Sequence, residues 1–518
     1  MNRNVLKKSL VMEIILLIIS SLISSMGIGD NIRIKNEPQG SIIDFYPSIE
    51  WSRTYGGWDL DSGQSARQTK DGGYILIGYT RSLGPDLAEA GCLIKTDVIG
   101  DIEWYNTYGE PGALNIDVAY SVEQTDDSGY IFTGNTLSYG AIGSDIWLVK
   151  TDSNGNEVWN KIYGGKGRDH GYQVLQVDDG GYVVVGYTDS YGAGGLDFCL
   201  LKTNSEGIEE WHRTFGGVGK DFARSVDMTY DGGYILTGDT ESYGCSDQCL
   251  WLVKTDSNGI EEWNRTYGGF GAYAIGESVR QTRDGGYIVT GVKRIIGEGY
   301  SVWLIKTDGN GNEVWNKTFG EPSDDLTGNE VQQTTDGGYI IVGYGFPVGP
   351  DYSFLIKTDS NGTKEWEIIF EEYDLYDDVY LYSVQQTTDG GYILGGSKDT
   401  QTYPNEMLDF CLVKVGHVPD IKITKPENAI YLFNKKIVSF FWPLIIGPID
   451  VEVDTSDDEY GIEKVEFYVD DVYQANDTSE PYSWKWNKLM FFKHTLKAVV
   501  FNSNGNVGVE EIVVSKFF

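Results

Sequence analysis

Two sets of side chains in this chain have the types and spacing to act on a ligand. The first is Glu371-Glu-Tyr-Asp-Leu-Tyr-Asp-Asp-Val-Tyr380, where Tyr373 and Tyr376 sit among carboxylates that include Asp377. Tyrosine faces stack on sugars or cations, and carboxylates accept hydrogen bonds from hydroxyl or ammonium groups. The second is an aspartate that recurs at one position, Asp61, Asp117, Asp169 and Asp221, each four residues before Ser65, Ser121, Gln173 and Ser225. On an innermost strand these aspartates would line part of a channel mouth, and the same residue type also caps turns. Groups for acid–base or nucleophilic catalysis are scarce. Only four histidines occur, at 170, 212, 417 and 494, so a Ser-His-Asp or Cys-His site has little support. Paired carboxylates for glycoside cleavage remain an alternative, because 77 acidic residues pair readily.

These residues are set in a repeat. Asp-Gly-Gly-Tyr or a near copy ends at Tyr74, Tyr130, Tyr182, Tyr234, Tyr287, Tyr339 and Tyr392, seven copies 52 to 56 residues apart. A period near 50 residues with strand-like text between glycine-rich turns marks a propeller. The third copy shows the unit. Gln173-Val-Leu-Gln-Val177 is a first strand, Asp179-Gly-Gly181 a turn, and Tyr182-Val-Val-Val-Gly-Tyr-Thr188 a strand covered on both faces. Phe198-Cys-Leu-Leu-Lys202 and the segment from Trp211 to Phe215 complete four antiparallel strands. One such blade buries only three or four large side chains, about 1.5–3 kcal/mol each. Ordering its residues costs about 1–2 kcal/mol apiece in backbone entropy. Each blade therefore needs neighbours on both sides, which a closed ring supplies. Trp51-Ser-Arg-Thr-Tyr55 lacks a preceding Leu-x-Lys strand and Cys411-Leu-Val-Lys414 lacks a following Trp phrase, so residues 49–56 are expected to close the seventh blade.

Loop lengths point to one face. The Lys-to-Trp turn and the turn before each repeat Tyr have constant length, whereas Tyr to Lys runs from 18 to 22 residues and Trp to Tyr from 23 to 26. In a four-stranded antiparallel blade the two constant turns share one end and the two variable loops the other. A ligand is expected on the variable-loop face, since a rigid frame carrying varied loops is how scaffolds acquire binding sites. The Asp152-Ser-Asn-Gly-Asn-Glu157 hairpins read as structural turns, because they lack the spacing of a calcium loop.

The strand–glycine strand–Asp-turn–Trp order of each repeat resembles kelch-like seven-bladed propellers and the propeller repeats of secreted prokaryotic, especially archaeal, proteins. Leu148-Val-Lys-Thr-Asp-Ser-Asn-Gly-Asn-Glu-Val-Trp159 also resembles the hairpin of pyrroloquinoline-quinone propellers, but the adjacent cysteine pair of that cofactor site is missing. The resemblance spans positions 49 to 415 and implies the fold rather than an activity. After residue 416 the repeat stops. Segments 449–453, 462–469, 482–486 and 495–501 alternate apolar and polar residues, the pattern of a sandwich. Ile423-Thr-Lys-Pro-Glu-Asn428, Gly461-Ile-Glu-Lys-Val-Glu-Phe-Tyr-Val-Asp470 and Glu480-Pro-Tyr-Ser-Trp484 resemble bacterial-type Ig-like modules of surface proteins.

The expected organisation is all-β: a signal peptide or N-terminal membrane anchor at 1–30, a seven-bladed propeller of four-stranded blades at 47–416, a linker at 417–420 and an Ig-like β-sandwich at 421–518. The first segment rests on Arg3, Lys7 and Lys8 before an apolar run over 10–23. A net charge of −37 argues against nucleic acid as a partner. Cys92, Cys199 and Cys411 fall where other copies carry Trp147, Trp251, Trp303 or Phe354 and read as buried free thiols. A disulfide between Cys245 and Cys249 stays open, and no His completes a zinc set near them. Asn264, Asn316, Asn361 and Asn476 lie in Asn-x-Thr sequons. The resulting expectation is an exported or cell-surface, non-catalytic protein without a cofactor, binding an extracellular protein or a glycan. A carbohydrate-active propeller and a purely structural envelope component are the alternatives.

Overall fold

The computed structural model describes residues 47–517 except 48, 85–88, 111–115, 245–247, 270–272, 296–298, 321–324, 347–350, 371–377, 401–406, 418, 458–460 and 504–505. Seven four-stranded antiparallel sheets follow one another and form the blades of a β-propeller. Six are built from consecutive strands. In the seventh, Ile49–Tyr55 lies against Leu408–Val415, with Tyr55 opposite Phe410 and Trp51 opposite Lys414. The first strand of the ring thus becomes the outer strand of its last blade.

The repeat text is explained by contacts within and between blades. The lysine of each Leu-x-Lys phrase is buried and reaches the aspartate of its own blade's Asp-Gly-Gly-Tyr turn, at 2.8 to 3.1 Å in all seven blades. Blade 2 shows the pairing, Lys150 with Asp127. The tryptophan of each outer strand packs on the repeat tyrosine of the next blade, from Trp51 on Tyr74 to Trp366 on Tyr392, with centroids 5.7 to 6.3 Å apart. The same tryptophan covers the glycine of the next blade's Asp-turn. At Gly207 (φ +72°) an added Cβ would stand 2.8 Å from the Trp159 ring, so both conformation and space call for glycine. That turn is held by its first residue: Asp152 Oδ1 accepts from the backbone N–H of Asn154 (2.8 Å) and Asn156 (2.9 Å). A fixed turn length follows from a fixed set of partners.

Cys92, Cys199 and Cys411 are buried free thiols. Cys249 is disulfide-bonded, and Cys245, the one cysteine left, lies outside the described residues.

Beyond the ring, Asp420–Lys425, Ile449–Ser456 and Ser483–Trp486 form a three-stranded sheet. A seven-stranded sheet faces it, and Trp486, Phe467, Val465, Ile449 and Leu496 fill the core between them. This is an Ig-like sandwich. Of its strands, Ala429–Leu432, Lys435–Ser439, Leu444–Ile446, Val472–Asp477 and Val507–Phe517 were not expected from sequence. The edge strand Lys435–Ser439 is exposed throughout and carries no burial pattern to find.

Candidate functional site: the mouth of the central channel

The innermost strands of the seven blades are Asp61–Gln68, Asp117–Gln124, Asp169–Gln176, Asp221–Met228, Tyr273–Gln281, Leu326–Gln333 and Val379–Gln386. Every one of them has a β-bulge at the same place in its pairing with the second strand. A bulge leaves one residue unpaired and turns its side chain out of the regular alternation. The seven residues so displaced are Gln64, Tyr120, Tyr172, Arg224, Glu277, Asn329 and Tyr382. All seven are half-buried, between neighbours that are mostly buried. They form one ring, a residue per blade, around the channel.

Above this ring lies a cavity of about 630 Å³, widened by Tyr273, Tyr300, Asp325, Tyr344 and Phe346 from the variable-loop ends of the strands. Below it a narrower space of about 120 Å³ leads to Arg67, Arg280 and Glu330. Glu330 is gripped from two sides, by Arg67 (Nη2–Oε1 2.8 Å, Nη1–Oε2 3.2 Å) and by Arg280 (Nη2–Oε1 2.7 Å). It also accepts the Val384 backbone N–H at 2.9 Å, tying blade 6 to blade 7. Glu123 lies near the same arginines, and burial pushes its carboxyl up to about 6.

The arginine of the mouth is held between two carboxylates. Arg224 Nε lies 3.1 Å from Glu277 Oε2, and its Nη1 donates to Asp239 Oδ1. Burial works against the guanidinium charge, but Glu277 and Asp239 outweigh it and hold the arginine charged. Burial raises Glu277, with Arg224 opposing. The aromatic rings form supported groups: Tyr120 with Tyr172 at 5.3 Å, Tyr273 with Tyr300 at 5.5 Å, and Tyr344 with Tyr382 at 5.7 Å. Rings braced by other rings offer faces without further loss of side-chain freedom. Among the described residues, no histidine or cysteine lines the 630 Å³ cavity. Aromatic faces beside amide, guanidinium and carboxylate groups suit a polyhydroxylated ring: the faces stack, the polar tips hydrogen-bond.

The expected site residues fare differently. Tyr373, Tyr376 and Asp377 lie outside the described residues. Asp61, Asp117, Asp169 and Asp221 do stand at one recurring position, but not as channel-lining groups. They are 0 to 1% exposed. Each accepts a hydrogen bond from a threonine of the second strand (Thr80, Thr136, Thr188, Thr240). Each accepts another from a serine two residues on (Ser82, Ser138, Ser190, Ser242). The correction has a simple cause: the aspartate begins the strand and is held at the blade interface by the threonine and serine of its own blade, whereas the bulge three residues later faces the axis. A signal for the ring was present. The bulge position varies through Gln, Tyr, Arg, Glu and Asn between positions that hardly vary, and an unaligned bulge hides that from strict alternation.

Residues 419–506 match the family described as a bacterial Ig domain. No curated protein matches the chain. Among solved structures, a polysaccharide lyase of the ulvan lyase family PL25, bound to a GlcA–sulfated rhamnose unit, is 10% identical, covering 72% of this chain and 95% of its own with a TM-score of 0.46. A domain described as the extracellular part of a hybrid two-component system from B. thetaiotaomicron is 10% identical over 88% of this chain and 68% of its own, TM-score 0.28. Fibronectin(III)-like modules of Clostridium thermocellum CbhA are 16% identical over 19% of this chain and 100% of their own, TM-score 0.16.

Proposed function

We propose that this protein is an exported binding protein whose propeller takes a glycan in the channel mouth, with the bacterial-type Ig-like domain as an accessory surface module. One observation carries the reading: seven bulges aim one side chain each at the axis, and those seven are three tyrosines, an arginine–glutamate pair, an asparagine and a glutamine. A concave space of about 630 Å³ accommodates a few sugar rings, whereas a protein partner calls for a broader patch of roughly 800 Å². Binding without turnover is favoured because Glu277 is engaged by Arg224, which leaves it poorly placed as a free acid or base.

The test is to incubate the purified chain with a panel of neutral, acidic and sulfated polysaccharides. Retardation in affinity electrophoresis reports binding, and new chain ends report cleavage. The expected result is retardation by at least one polysaccharide with no new ends. Cleavage would replace the binding reading by the enzymatic one, and no retardation by any polysaccharide would remove the glycan.

A further inference from the structure

Three of the seven blade interfaces place two carboxylates face to face beside a glycine, both residues buried in two of them and Asp409 half-buried in the third. They are Asp145 with Asp169 at Gly164, Asp197 with Asp221 at Gly216, and Asp409 with Asp61 at Gly56. In each pair one member is fully engaged. Asp169 accepts from Thr188, from Ser190 at 2.6 Å and from the Gly165 N–H at 3.0 Å, and Asp221 and Asp61 repeat the pattern. The other member keeps one bare oxygen: Oδ1 of Asp145, Asp197 and Asp409 is buried without a hydrogen-bond partner. Asp145 is 5% exposed and Asp197 1%. A desolvated carboxylate oxygen with no donor is costly, and a second carboxylate opposite makes it more so.

In each pair the bare oxygen and one engaged oxygen of the facing aspartate converge on one point. The place a Cβ would take on Gly164 is 2.3 Å from Asp145 Oδ1 and 2.6 Å from Asp169 Oδ2, and at Gly216 the corresponding values are 1.9 and 2.6 Å. Any side chain there would occupy the niche between the carboxylates. On the Asp169 side of the first pair, a cavity of about 160 Å³ lined by Gly164, Asp169 and Tyr191 leaves room for several waters. The four remaining interfaces have Ala90, Cys249, Ser301 or Tyr352 in place of the bare aspartate. The bare aspartate therefore occurs only where a second aspartate faces it, the reverse of what avoidance of repulsion would produce.

We infer that these three pairs are divalent-cation sites, each bridging two blades, with calcium as the ion they suit. Calcium takes six to eight oxygen ligands about 2.3–2.6 Å away in flexible geometry, and two carboxylates with waters meet that need better than magnesium's strict octahedron. Among the described residues no group of three or more acidic, histidine or cysteine side chains is arranged to hold a metal ion. The ligands beyond the two carboxylates are accordingly water or backbone oxygens.

Calorimetric titration of calcium chloride into the chelator-treated full chain tests this. The expected result is three ions per chain and a melting temperature raised by roughly 5 °C. Asp145→Asn with Asp197→Asn and Asp409→Asn should abolish both effects. In chelator that variant should melt above the parent, because the facing charges are gone. Each single variant should remove one ion, which covers failure of the triple variant to fold. Calcium binding unchanged in the variants would mean loose association with the acidic surface and would overturn the inference. So would a parent whose melting point ignores calcium but drops as pH rises from 5 to 8, since the pairs would then share a proton.

Discussion

At the scale of residues, the channel holds its charges in compensating sets, and that makes specific substitutions informative. Glu330 bridges two arginines and caps a backbone N–H. Glu330→Ala should therefore destabilise the ring by about 2–3 kcal/mol, read as a lower denaturation midpoint, because two half-buried guanidinium groups lose the carboxylate that bridges them. Glu123 behaves oppositely. Its folded carboxyl is raised from 4.5 to about 6 by burial, so ionising it costs stability as pH rises through that window. Glu123→Gln keeps an acceptor for the Gln176 N–H and removes the charge. It should raise stability by roughly 1 kcal/mol at pH 7 and leave it unchanged at pH 4, as melts at the two values would show. The sequence made the recurring aspartates visible because they share a fixed offset. It hid Gln64, Tyr120, Tyr172, Arg224, Glu277, Asn329 and Tyr382, since a bulge breaks the two-residue alternation by which facing is read.

At the scale of elements, the constant spacings were legible because each is fixed by partners. The nine residues from Lys150 to Trp159 span a turn whose Asp152 caps two N–H groups, and Trp159 then meets Tyr182 of the next blade. The lysine–aspartate pairs within blades predict an acid transition. Burial works to raise Asp127 and Asp231, but threonine, lysine and backbone donors outweigh it and hold both near about 2. A carboxyl depressed below its unfolded value contributes stability that is present above about 4 and lost as pH falls toward 2. Each pair is half open to water and contributes little alone, but the device recurs in all seven blades. The melting temperature should therefore fall steeply between pH 4 and pH 2. A flat profile there would show that the buried lysines do not depend on their aspartates. The Ig-like strands were only partly legible: Ile462–Val469 alternates cleanly, while Lys435–Ser439 is an exposed edge with nothing to alternate against.

At the scale of the whole molecule, the incomplete first and last repeats pointed to the closure that Ile49–Tyr55 makes on Leu408–Val415. That strand brings Trp51 onto Tyr74 and Tyr55 onto the Gly100 carbonyl at 2.7 Å, so it joins blade 7 to blade 1 as well as completing blade 7. Deleting residues 49–55 should lower the melting temperature of the ring and broaden its transition, checked by calorimetry; a melt identical to the parent's would remove the closure from the stability account. What the ring finally positions is the mouth, and the claim that ligand binds there rests on the tyrosines that the bulges turn inward. The direct measurement is the affinity of a retained polysaccharide for the parent and for a Tyr120→Ala, Tyr172→Ala variant, with melting temperatures taken alongside. Losing two stacking faces should weaken binding at least 30-fold, about 2 kcal/mol or more, while the melt shifts little because both rings are half-open to the channel. Unchanged affinity in a folded variant would place the ligand elsewhere and contradict the account.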